Sequence, residues 1–491
     1  MRRPEQGRLR RTKIVCTIGP ASESDEMVER LIRAGMDCAR LNFSHGDLDR
    51  HAKVISAVRK ASARLGRQTA IMQDLPGPKI RVGRLKKELD LREGSVVTLV
   101  GEGEGEGDVI PIGYRGLGRY VSPGSSIYLA DGTIRLKVLK AGEEGISCRC
   151  VTGGHLLSGK GVNVPRLKQG FRAFTEQDER FLEFGMENGV DLVAVSFVRS
   201  HLDVMQVRDF TRKKGRDPVI VAKIEKKEAV DDLKSIVRVS DMVMVARGDL
   251  GVENPVEKIP MMQKAIISDC NAEGVPVITA TQILESMVKN PTPTRAEVTD
   301  IANAILDGTD ALMLSEETAV GAFPVECVEV LHRVSVTTEE RMVGRQPAPA
   351  ASEDVKDSLS EAAYMLSRSV GAGFLLSLTN SLTMATRLSK FRPRIPIIAF
   401  TQDERQSRKL NVVWGVYPTV VDGGDGITEL MARCIRNLRS QWPVGKGEKL
   451  VMVCDDVRLS GQSGELLFAV ELKGAGSVPR PRRSRSSPSG R

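Results

Sequence analysis

At 491 residues, with 41% hydrophobic and 27% charged side chains, the chain exceeds the size at which one core stops growing and has an ordinary globular composition, so two to four domains are expected. No apolar run reaches the roughly 18 residues a membrane span needs, and RRPEQGRLRR lacks the apolar stretch of a secretory signal, which predicts a cytosolic protein with no membrane partner. The net charge of +9 lies at the two ends: Arg2, Arg3, Arg8, Arg10, Arg11 and Lys13 against Glu5 leave residues 1–13 at +5, and five arginines leave residues 474–491 at +5.

The body is therefore near neutral, and 4% aromatic content offers few platforms for base stacking, so nucleic acid is not an expected partner. The ending PRPRRSRSSPSGR has the Pro, Ser and Arg bias of a solvated, disordered appendage.

Along the chain, short apolar runs bounded by turn residues appear eight times: TKIVCTIGP, MDCARLNFSHG, TAIMQDLPGP, DLVAVSFVRS, PVIVAKIEKK, DMVMVARGDLG, VPVITATQILE and DALMLSEETA. Amphipathic patterns such as DEMVERLIRAG separate most of them. In TRAEVTDIANAILDG, Thr294 and Glu297 form a capping box, and Val298, Ile301, Ala302, Ile305 and Leu306 recur at helical spacing before Gly308. Eight strand and helix pairs predict an α/β fold built on a closed (β/α)8 TIM barrel.

Between the third and fourth runs lie about 110 residues, far more than the few of an ordinary loop. Alternating, glycine-punctuated stretches there (SVVTLV, SSIYLADGTIRLKVL, GISCRC) predict an inserted small all-β lid domain over the active-site face. The eight cysteines, with Cys148 and Cys150 at strand spacing, form neither a zinc pattern nor a disulfide framework and are expected to be reduced and structural. After the linker RQPAPAAS, the helical SLSEAAYMLSRSV and TELMARCIRNL alternate with GFLLSL, IPIIAF, YPTVV, EKLVMVC and LLFAVEL, which predicts a C-terminal open-sheet α/β domain. Its loop LTNSLT suits either a phosphate cradle or a plain helix cap. The expected division is a basic segment 1–11, a barrel of 12–81 and 167–345, a lid of 82–166, a regulatory-type domain of 352–473 and a tail of 474–491.

Catalytic residues of such barrels come from the carboxyl ends of several strands. Here those ends supply Arg40 and Asn42, Asp74, Arg199, Lys223 and Glu225, Arg247 and Asp249, Thr281, then Ser315 and Glu317. Lys223 and Glu225, two apart on a strand, share one side while Ile224 faces the other. Gly248 and Gly251 around Asp249 let the backbone approach a ligand closely. Glu225 and Asp249 would offer a divalent ion two carboxylates, as magnesium prefers, or each would simply pair with a nearby cation.

TKIVCTIGPAS, ARLNFSHG, DLPGPKIR, GKGVNVP, KIE, MVARGDLG, ATQILESM, PTRAE and LSEETA resemble, in order over roughly residues 12–340, the signature segments of the pyruvate kinases. That resemblance implies phosphoryl transfer from phosphoenolpyruvate to ADP, giving pyruvate and ATP, with Mg2+ or in its place Mn2+. It implies that Lys223 neutralises the moving phosphoryl group and the developing enolate, that Glu225 and Asp249 hold the metal, and that Arg40 clamps phosphoryl oxygens. It further implies substrate contacts by the Gly248 and Asp249 backbone and by Thr281, a proton relay through Ser315, and nucleotide-side positions at Asn42, Phe43, Ser44, His45, Arg81 and Lys160. The same resemblance implies a homotetramer.

Two departures stand out. Where many members have Asp-Thr-Lys-Gly-Pro-Glu, this chain has Asp74-Leu75-Pro76-Gly77-Pro78-Lys79, which resembles the potassium-independent branch; Lys79 would supply the charge of K+, while Asn42, Ser44, Asp74 and the Leu75 carbonyl still resemble a K+ ligand set. Where the family's sugar-phosphate loop has Ser-Gly, this chain has Ser381-Leu382, so the effector, a phosphorylated sugar or AMP, and allostery itself stay open. Two other readings are a metal-dependent lyase or aldolase acting on a pyruvate enolate, and a catalytically silent metabolite sensor.

Overall fold

All eight apolar runs become parallel strands, at Lys13–Thr17, Cys38–Asn42, Ala70–Asp74, Leu192–Val195, Val219–Ile224, Met242–Ala246, Val277–Ala280 and Ala311–Leu314. They close into a barrel in which the last strand pairs with the first, Ala311 opposite Lys13. This computed structural model describes residues 9–78, 80–101, 103–130, 132–165, 173–342, 354–423, 426–459 and 462–472. Lys79, most of the basic amino-terminal segment, the linker RQPAPAAS and the arginine-rich tail lie outside the described residues.

Strand parity decides what reaches the site. Ile14 and Cys16, Ala39 and Leu41, and Leu312 and Leu314 join the outer core with Val28, Leu31 and Ile32 of the helix Asp25–Ala34. Val193, Val195, Ile220, Ala222 and Ile224 join a second outer core with Val204 and Val207. With period two, Thr17, Arg40, Ser196 and Lys223 must face the barrel axis. The runs read as continuous apolar stretches because both faces are covered.

The capping box at Thr294 forms as expected: its hydroxyl accepts the Glu297 N–H at 3.2 Å, and the Glu297 carboxylate accepts the Thr294 N–H at 2.7 Å. The helix Arg295–Asp307 buries Ile301, Ala304 and Ile305, whereas Leu306, one step further round, is 56% exposed. Ala304 takes the place in the core that the apolar spacing assigned to Leu306.

The insertion folds as a six-stranded sheet, Val96–Val100, Val109–Pro111, Ser126–Leu129, Ile134–Ala141, Ile146–Thr152 and Val162–Asn163, plus a small pair of Leu89–Leu91 with Gly154–Leu156. It has its own core around Val97, Leu99, Ile127, Leu136, Cys148 and Cys150. Every cysteine of the chain is buried and free, and burial pushes the Cys148 thiol up to about 12, which makes it inert at neutral pH.

Contacts divide the chain into two compact units, one of Arg8–Val343 with Arg408–Gly415 and one containing the C-terminal sheet. That sheet orders its strands Val416–Val420, Ile397–Thr401, Phe374–Leu378, Lys449–Leu459 and Gln462–Glu471, the last pair being an antiparallel hairpin. In its LTNSLT loop the helix Thr383–Lys390 is capped at Leu382 without a side-chain hydrogen bond. The hydroxyls instead turn to Asp455, Thr379 Oγ1 donating at 2.9 Å and Ser381 Oγ at 3.4 Å, so a side-chain helix cap is excluded.

Candidate active site

Five strand ends place side chains in one hydrogen-bonded chain across the barrel mouth, and the Leu314 carbonyl of a sixth anchors it. Thr17 donates to the Leu314 carbonyl at 2.8 Å and accepts Arg40 Nη1 at 2.9 Å. Arg40 Nε and Nη2 both reach Asp74 Oδ2 at 2.7 Å. The other oxygen, Asp74 Oδ1, accepts from Lys223 Nζ at 3.1 Å and Ser196 Oγ at 3.3 Å. Lys223 also donates to Ser196 Oγ at 2.7 Å and meets Glu225 Oε1 at 2.8 Å. All three ammonium protons are thus engaged.

The electrostatics follow from burial at a paired site. Burial pulls the Lys223 ammonium towards neutrality, but Asp74 and Glu225 outweigh it and hold its pKa above the ordinary lysine value. Burial likewise pushes against the Asp74 carboxylate, and Lys223 with Arg40 overcomes it, so Asp74 lies below its usual value. Glu225 differs: burial and the charge of Asp249 together raise it, despite the pull of Lys223 and an N–H from Phe197 at 2.9 Å.

Two carboxylates whose repulsion raises one of them fit a divalent cation. Glu225 is buried and Asp249 exposed at the mouth, leaving the other coordination positions to water and substrate oxygens, as magnesium requires. Among the described residues no group of three or more His, Cys, Asp or Glu side chains is arranged for a metal.

Thr281 lies on a strained turn. It and Gln282 adopt φ of 68° and 53°, a left-handed conformation that is an outlier for a β-branched residue. Arg247 holds this turn: Nη2 donates to the Thr281 carbonyl at 2.6 Å and the Gln282 carbonyl at 2.8 Å, while Nη1 pairs with Asp300 at 2.6 Å. The Thr281 hydroxyl accepts the Gly248 N–H at 2.9 Å and donates to the Ala280 carbonyl at 2.6 Å. Arg247 therefore acts on backbone, and Arg199 reaches towards Asp203 at 3.5 Å.

Glu317 is fully buried and accepts the N–H groups of Ser315 at 2.6 Å and Leu284 at 3.0 Å, a structural task. Ser315 follows the eighth strand as the N-cap of the helix Glu316–Ala319, and no hydrogen bond among the described residues joins it to Thr281 or Lys223. On the second strand's loop, Asn42 Oδ1 accepts the Ser44 N–H at 3.1 Å, and the Phe43 ring is buried, stacked on His51 at 4.0 Å. His51 Nε2 lies 3.0 Å from the His45 carbonyl. Leu75 keeps its side chain in the core and its N–H on the Ala194 carbonyl at 3.0 Å. Arg81 and Lys160 come side by side on the hinge of the insertion, where Arg81 bridges Gly161 and Val82 N–H donates to the Lys160 carbonyl at 2.8 Å.

Thr17 and Ser196, absent from the sequence-derived set, complete the chain of contacts. Both share the inward parity of the charged strand ends, and that parity was the signal available for them.

A model of the pyruvate kinase barrel domain matches residues 9–328, and one of the pyruvate kinase alpha/beta domain matches residues 357–465. The chain is 43% identical over 422 residues to a pyruvate kinase of Thermococcus litoralis, covering 84% of this chain and 89% of that protein. It is 44% identical over 414 residues to one of Agrobacterium vitis, covering 83% and 85%. The crystal structure of a pyruvate kinase from Cryptosporidium parvum superposes with a TM-score of 0.85 at 34% identity, covering 94% of this chain and 96% of that one. A closed barrel with an inserted sheet, a C-terminal α/β sheet and a buried lysine between carboxylates at the mouth agree with these likenesses, and the chain belongs to the pyruvate kinase family.

Proposed function

We propose that the chain transfers the phosphoryl group of phosphoenolpyruvate to ADP, giving pyruvate and ATP, as the last step of glycolysis. The observation that carries this reading is the Lys223 ammonium, buried and kept charged between Asp74, Ser196 and Glu225. A group held cationic stabilises negative charge on a moving phosphoryl and on an enolate oxygen, which is the work this transfer demands.

Arg40 has five N–H donors; two point at Asp74 and one at Thr17, which leaves two for phosphoryl oxygens. Because the three Lys223 protons are taken, a substrate oxygen must displace one partner. Glu225 is the partner with another use, as ligand of Mg2+ or Mn2+ together with Asp249. When bound, that ion supplies Lewis-acid charge to the same oxygens. Gly248 and Asp249 then orient the substrate carboxylate through their backbone, and Thr281 contacts the substrate near the carbon that gains a proton. Ser315 stands in that proton's relay, and Asn42, Phe43, Ser44, His45, Arg81 and Lys160 face the nucleotide. Phe43 would act through its backbone, since its ring is buried.

Asp74, shared by two cations, needs no third, and with Lys79 five positions further in the sequence the enzyme works without K+; Asn42, Ser44 and the Leu75 carbonyl then hold no ion. The enzyme acts in the cytoplasm as a homotetramer, and the described residues contain no helix long and apolar enough to cross a membrane. Pyruvate formation from phosphoenolpyruvate should need both ADP and Mg2+, vanish with EDTA, and fail in Lys223→Met. Formation without ADP, or a fully active Lys223→Met, overturns the reading. Lys79→Glu should acquire a K+ requirement; the same K+ response in both proteins refutes the role of Lys79. Titration with fructose 1,6-bisphosphate, AMP and sugar monophosphates decides whether an effector shifts the substrate midpoint.

A further inference from the structure

We infer that Lys226 is a positioning residue for the nucleotide side of the site, tying the hinge of the inserted domain to the strand that carries Glu225. Lys226 follows the two functional residues of the fifth strand, yet its side chain, 12% exposed, turns away from them. Its Nζ donates to Asn163 Oδ1 at 2.9 Å and to Glu253 Oε1 at 2.5 Å, and lies 5.3 Å from the centre of the Phe197 ring. The three partners come from three elements. Asn163 ends the last strand of the insertion, Glu253 ends the helix Arg247–Glu253 that carries Asp249, and Phe197 gives its N–H to Glu225 from a left-handed backbone with φ of 58°.

The hinge itself is a two-stranded ribbon. Val162 N–H donates to the Ile80 carbonyl at 2.9 Å, Arg81 bridges Gly161, and Val82 N–H reaches the Lys160 carbonyl at 2.8 Å. Arg81 and Lys160 ride on this ribbon, and Asn163 is its foot. A cation anchored by a carboxylate that is itself only 1% exposed gives that foot a fixed position relative to both metal-binding carboxylates. An uncharged or solvated side chain at 226 would leave the ribbon's placement to the backbone alone.

The inference rests on the nucleotide-side reading of Arg81 and Lys160, and the test separates the two. Asn163→Ala cuts the link while leaving the Lys226–Glu253 pair intact, so folding is preserved. It should raise KM for ADP about tenfold, the worth of a hydrogen bond to a charged group, with KM for phosphoenolpyruvate within twofold. Amide exchange at Val82 and Val162 should quicken. Lys226→Arg should retain the parental KM for ADP, whereas Lys226→Met should exceed Asn163→Ala because it also strands Glu253. An unchanged KM for ADP in Asn163→Ala, with Arg81→Ala and Lys160→Ala both raising it, overturns the inference. If those two variants leave KM for ADP unchanged, the nucleotide reading fails, and unaltered exchange at Val82 and Val162 then overturns the tie as well.

Discussion

Replacing Arg247 by Met should lower kcat about 100-fold while hardly changing stability. The left-handed Thr281 and Gln282 each store roughly 1–3 kcal/mol of backbone strain. Against this, the guanidinium, 10% exposed, donates to two carbonyls, at roughly 1.5–3 kcal/mol each. The two sums are of equal size, so in the variant the turn relaxes, lost bonds and released strain nearly cancel, and the thermal midpoint moves by a few degrees at most. Catalysis has no such compensation. A shift of about 1 Å in the Thr281 hydroxyl is enough for a loss near 100-fold. Asp300→Asn should do far less, because Asp300 is 41% exposed and its pair with Arg247 contributes under about 1 kcal/mol. Steady-state kinetics at saturating phosphoenolpyruvate and ADP, run beside thermal unfolding, reads both quantities. A kcat within threefold of the parent, or a loss of activity matched by unfolding, would refute the reasoning.

Lys223→Met should cost at least about 100–1,000-fold in kcat through lost charge stabilisation. It also leaves Glu225, 2% exposed, without its cation, while Asp74 keeps Arg40, so urea unfolding should show a loss of about 3–5 kcal/mol; an unaltered midpoint would contradict the network. His155 faces Asp90 and Glu88 at 2.8 Å each, and hydrogen bonds first to Asp90, then to Glu88, raise its pKa. Its folded value lies above the unfolded value of about 6.5, so its contribution is complete below that pH and fades as pH rises through the folded pKa. An NMR titration of His155 inflecting at or below 6.5 would count against it. In Gly185→Ala the new methyl would lie 2.0 Å from Gln73 Oε1, and Gln73 is fixed by its bond to the Phe181 carbonyl at 2.6 Å. Overpacking there should cost about 1–3 kcal/mol in chemical unfolding, and Gln73→Ala should recover part of it.

The barrel was legible because each strand is apolar on both faces and ends in polar residues, so runs such as PVIVAKIE announce element, length and direction together. Charged ends were legible too, since Lys223 and Glu225 advertise themselves by charge and spacing. Thr17 and Ser196 were not, because a short hydroxyl after an apolar run looks like any turn residue until the parity of Ile14 or Val193 is known. Arg247 shows the opposite limit: its charge at a strand end suggested a ligand contact, and only the backbone angles of Thr281, 34 positions later, reveal what it holds. Leu306 was misplaced because helical spacing fixes a stripe's period but not its edge.

Asp74 deserves a geometric reading beyond its charge. One carboxyl group fixes Arg40 through one oxygen and Lys223 through the other. The spacing of the two substrate-facing cations is therefore tied to one carboxylate, through contacts of 2.7 Å to Arg40 and 3.1 Å to Lys223. Which anions fit the mouth is then set by a residue whose own charge is already spoken for. Lengthening it by one methylene to Glu would translate both cations together, keeping their mutual spacing but moving the pair relative to Glu225 and Asp249.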